Sequence, residues 1–116
     1  MNITQEILSD IVVYNKYAKY IPKKQRRETW KELVTRNKKM HQAKFPKLKE
    51  EIEDVYTMVY DKKVLPSMRS LQFAGKPIDI NNSRIFNCSF LPIDDWRSFS
   101  EVMFLLLSGC GVGYSV

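Results

Sequence analysis

Apolar positions along the first 60 residues recur at helical spacing, and from residue 84 the pattern changes to alternation. Ile3, Ile7, Leu8, Ile11 and Val12 form one helical stripe near the start, followed by Tyr14, Tyr17 and Tyr20 at every third position. Pro22 and the run Lys23-Lys24-Gln25-Arg26-Arg27 break that pattern. Thr29-Trp30-Lys31-Glu32 matches a capping box and predicts a helix in which Trp30, Leu33, Val34, Asn37, Met40 and His41 fall at helical spacing, with His41 on the helix surface or at a hairpin interface. After Pro46, Leu48, Ile52, Val55, Tyr56 and Val59 predict a third helix that runs until Leu65-Pro66, so that the second and third helices form a hairpin. Residues 67–75 read as a loop with a turn at Gly75, and Asn81-Asn82 as a second turn.

The segment from Arg84 to Leu91 alternates, with Phe86, Cys88 and Phe90 on one face and Ile85, Asn87, Ser89 and Leu91 on the other, which predicts a strand. Ser98-Phe99-Ser100-Glu101 matches a capping box for a helix that is apolar nearly all round, from Phe99 to Leu107. Such a helix needs cover on more than one side. Gly109, Gly111 and Gly113 then lead into a second strand-like stretch, giving a strand–helix–strand order.

Composition narrows the class. A hydrophobic share of 44% excludes a disordered chain, and no apolar run approaches the roughly 20 residues of a membrane helix. Two cysteines do not make a disulfide scaffold, so a reducing cytoplasm is the expected location. The net charge of +6 lies entirely in residues 1–63, while residues 64–116 carry four cations and four anions. The chain therefore divides into a basic helical region, 1–63, and an electrically balanced α/β region, 64–116. A basic face suits nucleic acid, nucleotides or an acidic partner, but a solvated helical surface is the favoured reading. The only histidine, His41, has no metal-ligand spacing around it.

Residue chemistry leaves the α/β region open. A cysteine between phenylalanines on a strand is either a small buried hydrophobe or an accessible thiol. Cys110 lies too far along the chain to form a CxxC pair with Cys88. The glycine turn either exposes backbone N–H groups to an anion or lets a helix stop and a strand pass close by.

Leu65-Pro66-Ser67-Met68-Arg69, then Asn87-Cys88-Ser89-Phe90, then the stretch from Phe104 to Val116 resemble, in that order, the large catalytic chain of ribonucleotide reductase. The similarity is closest to the monomeric adenosylcobalamin-dependent ribonucleoside-triphosphate reductases. Tyr17-Ala18-Lys19-Tyr20-Ile21-Pro22 and Glu28-Thr29-Trp30-Lys31-Glu32 extend it, so it covers the chain from about Val13 onward. The resemblance implies a helical lead-in followed by the first strand–helix–strand part of a ten-stranded α/β barrel, incomplete in this chain. It implies that Cys88 is one of two thiols that reduce the ribose, with thioredoxin or a similar dithiol as their reductant. Ser67, Asn87, Cys88 and Gly111 would border the ribonucleoside tri- or diphosphate substrate, and Cys110 would be incidental.

Closeness to the monomeric enzymes implies adenosylcobalamin as the radical source, bound mainly by the rest of the catalytic chain, with a di-iron partner subunit as the alternative. In the family the radical cysteine, the second redox cysteine and the catalytic Asn and Glu follow much later. The expected partner is therefore a remaining catalytic segment, and the chain itself a split-gene product, a piece before an intein or intron, or a truncation. Two other classes stay open beside this one. One is a basic helical module that binds nucleic acid through Lys23–Arg27 and the tyrosine stripe; the other is an interaction protein without catalysis.

Overall fold

The computed structural model describes residues 2–116, and the chain forms two compact units, Met1–Gly75 and Lys76–Val116. The change in charge at residue 63 therefore precedes the end of the first unit at Gly75.

The first unit is helical. Helix α1, Ile3–Val12, starts at Asn2, whose side chain accepts the Thr4 N–H while Gln5 reaches back to the Asn2 N–H. One π-helical turn, Val13–Tyr17, follows. Strands β1, Tyr20–Ile21, and β2, Arg26–Arg27, make a short antiparallel ribbon. Helix α2, Trp30–Lys44, starts at Thr29 with the expected capping box. Helix α3, Lys49–Tyr60, packs against α2 as the predicted hairpin.

Two positions next to each other on α2 give the unit two cores. Leu33 packs with Val13 and Leu71, Val34 packs with Tyr56 and Val59, and Trp30 touches both clusters. Leu33, Val34 and Leu71 are completely buried, so truncating either leucine to alanine costs about 2–5 kcal/mol. Between helices the buried Asn37 amide donates to Ser70 Oγ, and its carbonyl accepts the Tyr56 hydroxyl. His41 is half-buried in the hairpin beside the Tyr56 ring, and burial pushes its pKa down.

Four element boundaries differ from the sequence expectation. Residues 68–73 are a helix, α4, capped by Ser67, because Leu71 is needed to close the first core. Helix α3 stops at Tyr60, short of Leu65, where Lys62 takes a left-handed φ of 57°. Residues 82–85 form a 3₁₀ turn in place of the start of a strand: the Asn81 side chain accepts the Ser83 N–H at 3.1 Å and competes with extension. Ser98 does not cap the last helix. Asp95 holds the entry one turn earlier, accepting the Arg97 N–H on its carboxylate at 3.2 Å and the Ser98 N–H on its carbonyl.

The second unit begins with helix α5, Lys76–Ile80, and contains strand β3, Cys88–Pro92, helix α6, Arg97–Leu107, and strand β4, Gly111–Ser115. Strands β3 and β4 are parallel, with Cys88 opposite Gly111 and Phe90 opposite Gly113. The strand–helix–strand order read from the sequence is thus a βαβ unit. Its helix is covered on one side only: Ser98 is buried and Val102 and Leu105 are half-buried, while Phe99, Met103, Phe104, Leu106 and Leu107 are exposed. No helix among the described residues is long and apolar enough to cross a membrane.

Candidate functional site

Strand alternation and parallel register sort the residues around Cys88 onto two faces. Cys88 and Phe90 share one face with Gly111 and Gly113, and both Cys88 and Phe90 are exposed. Ser89 and Leu91 take the opposite, half-buried face, where α6 packs. The Cys110 thiol lies on this second side, 3.3 Å from Ser89 Oγ, and is buried. The two thiols therefore stand on opposite faces of one small sheet, and neither is in a disulfide.

The glycine turn has a definite mechanical role. Gly109 adopts a φ of 85° just beyond α6, its N–H donating to the Leu106 carbonyl while the Cys110 N–H donates to Leu105. This pair of bonds is a Schellman stop, and the left-handed residue in it favours glycine. Of the two readings of the turn, the helix stop accounts for Gly109.

Gly111 is engaged through its backbone. Its N–H donates to the Asn87 carbonyl at 2.8 Å, and its own carbonyl accepts from Ser89 Oγ at 3.4 Å. What it presents beside Cys88 is the absence of a side chain. A Cβ placed there would meet only the Asn87 carbonyl, at an ordinary 3.6 Å. The glycine is thus permitted rather than demanded by packing within the unit, and it leaves the face beside the thiol open.

Of the four residues singled out from the sequence, three come together here: Asn87, Cys88 and Gly111. Ser67 belongs to the other unit, where its hydroxyl caps α4 by accepting the Ser70 N–H. The sequence reading missed that α4 is held at its C-terminal end by two cations. Lys19 Nζ and Arg36 Nη1 each donate to the Ala74 carbonyl at 2.9 Å. The buried Glu28 carboxylate binds Arg36 and the Lys19 N–H and neutralises part of this charge. Burial and the nearby Arg36 lower the Lys19 pKa. No local pattern marks this clamp, because its members are spread from residue 19 to residue 74.

The basic cluster is largely consumed within the first unit. Lys24 and Arg26 pair with Glu32, and Arg27 donates to the Ala18 carbonyl at 3.1 Å while lying over the Tyr14 ring. Hydrogen bonds from Arg26 and Lys24 hold the Glu32 carboxyl well below the usual carboxylate range. Among the described residues there is no group of three or more His, Cys, Asp or Glu able to hold a metal ion.

Compared with protein-family models, curated proteins and solved structures, the chain matches none of them.

Proposed function

We propose that this chain supplies the opening strand–helix–strand part of a ribonucleotide reductase barrel, with Cys88 as one of the two reducing thiols. The observation that carries the reading is the exposed Cys88 thiol on the helix-free face of a parallel βαβ unit, directly opposite the side-chain-free Gly111. The exposed thiol is accessible on that face, while the buried Cys110 is turned away from it. The resemblance in residue order adds Asn87 as a neighbour of the substrate and Ser67 as a second polar contact from the α4 start.

In the proposed reaction two thiols together give two electrons and two protons to the ribonucleotide. The 2′ hydroxyl leaves as water, a hydrogen takes its place, and the thiols close to a disulfide that a dithiol such as thioredoxin reopens. The second thiol, the radical-forming cysteine and the adenosylcobalamin site belong to a remaining catalytic segment. Exposed Phe99, Met103, Phe104, Leu106 and Leu107 on α6 form an apolar surface of the kind such a segment would cover. A reducing cytoplasm is the compartment in which such a thiol pair would be maintained.

The test is Cys88→Ser in the enzyme assembled with its remaining segment, assayed over many turnovers with thioredoxin. Loss of multiple-turnover reduction of ribonucleoside tri- or diphosphate is expected. Unchanged turnover would remove Cys88 from the reaction.

A further inference from the structure

Lys62 occupies the left-handed position that ends α3, with a φ of 57°. The Lys62 N–H donates to the Val59 carbonyl and the Lys63 N–H to Met58, the same Schellman arrangement that Gly109 makes after α6. Glycine is the low-strain residue at such a stop, and a lysine is held there against a backbone preference. Its side chain has a defined place: Nζ lies 2.9 Å from Ser9 Oγ, 3.2 Å from Asp10 Oδ1 and 5.6 Å from the centre of the Trp30 ring.

That ammonium stands at the wall of a cleft of about 430 Å³ within the first unit. The rest of the lining is mainly apolar, from Leu8, Val12, Val13, Trp30, Leu65 and Met68. A cleft of this size with mainly apolar walls and a few polar groups, Lys62, Ser9 and Gln5, has the form of a small-molecule site. The positive charge fixes the sign of the ligand. The Asp10 carboxylate, the anion now beside Lys62, is 71% exposed and so is a weak, exchangeable partner.

We propose that this cleft binds a small amphipathic carboxylate, with its carboxylate on Lys62 Nζ and Ser9 Oγ and its hydrocarbon body against Trp30, Met68 and Leu65. The site belongs to the first unit and Cys88 to the second, and the proposal is independent of the reductase reading.

The experiment uses the whole chain carrying Trp96→Phe, so that Trp30 is the only indole, and titrates its fluorescence with hexanoate, octanoate and octanol. Saturable binding of octanoate is expected, tightening about fourfold for each methylene added between hexanoate and octanoate. Lys62→Gly relieves the backbone and keeps the helix stop, so it folds; it should weaken octanoate on the order of tenfold and leave octanol unchanged. Asp10→Asn, at an exposed position, should tighten octanoate several-fold by removing the competing carboxylate. No saturation in the parent chain would overturn the proposal. Equal affinity for octanoate and octanol, or octanoate binding indifferent to both Lys62→Gly and Asp10→Asn, would overturn it as well.

Discussion

Cys88 and Gly111 are register partners in adjacent parallel strands, so an exposed thiol stands beside a residue without a side chain. The partnership follows from the length of α6 and of the turn that ends it, which together return the chain parallel to β3 and in this register. Gly111→Ala should fold normally, within about 0.5 kcal/mol, because its Cβ meets only ordinary contact. Gly111→Phe places a ring on the Cys88 face and should slow alkylation of Cys88 by iodoacetamide several-fold, with an unchanged circular dichroism spectrum. Equal alkylation rates in the parent and Gly111→Phe would show that the two residues do not share an open face.

The two thiols should differ in reactivity as they differ in exposure. Under native conditions Cys88 is expected to be alkylated on the order of tenfold faster than Cys110, and urea should abolish the difference. Peptide mass spectrometry over a time course measures both rates in one sample. Comparable native rates would place Cys110 in solvent, against its contact with Ser89.

Asn37 joins α2 to α3 and α4 through Tyr56 and Ser70. Asn37→Ala leaves the Tyr56 hydroxyl buried without its acceptor and should cost about 1–3 kcal/mol in urea unfolding followed by Trp30 fluorescence in the Trp96→Phe chain. The same burial, with a smaller contribution from Tyr60, pushes the Tyr56 pKa up to about 12. The folded state then keeps its proton while the unfolded tyrosine loses one above its ordinary pKa of 10.0, so stability falls as pH rises from 10 toward 12. Tyr56→Phe should flatten that alkaline limb.

Glu32 sets the acid side of the same unit. Its carboxylate accepts from Arg26, Lys24 and the Thr29 N–H, and its pKa is lowered from an ordinary 4.5. The folded state therefore holds the anion where the unfolded chain takes up a proton. The contribution is present above pH 4.5 and is lost as the pH falls below it. Urea midpoints across pH 2–6 should show a shallower acid limb in Glu32→Gln. Thr29→Ala, which removes the other half of the capping box, should cost about 1 kcal/mol at neutral pH.

Where a signal spans one turn of chain, the sequence carried it. The Thr29–Glu32 box marks the start of α2, helical spacing marks α3, and alternation around Cys88 places neighbouring residues on opposite faces. Local signals also misled where a second one competed within the same few residues: Asn81 drew residues 82–85 into a turn, and Asp95 took the helix entry from Ser98. At the candidate site, Asn87, Cys88 and Gly111 could be singled out from the sequence, but the pairing of Cys88 with Gly111 and the Gly111 N–H bond to the Asn87 carbonyl could not.

Tertiary structure decided which separated segments meet. It put Lys62 beside Ser9, joined Asn37 to Tyr56 and Ser70, aimed Lys19 and Arg36 at the Ala74 carbonyl, and made a helix of residues 68–73 to close a core. It also chose the buried face of the β3–β4 sheet, and so exposed Cys88 and covered Cys110. The division has a physical cause. Caps, turns and alternation are fixed by hydrogen bonds and steric limits between residues a few positions apart, and these are written in any short window. Burial and long-range pairing depend on which surfaces exclude water together, a property of the folded chain that no window contains.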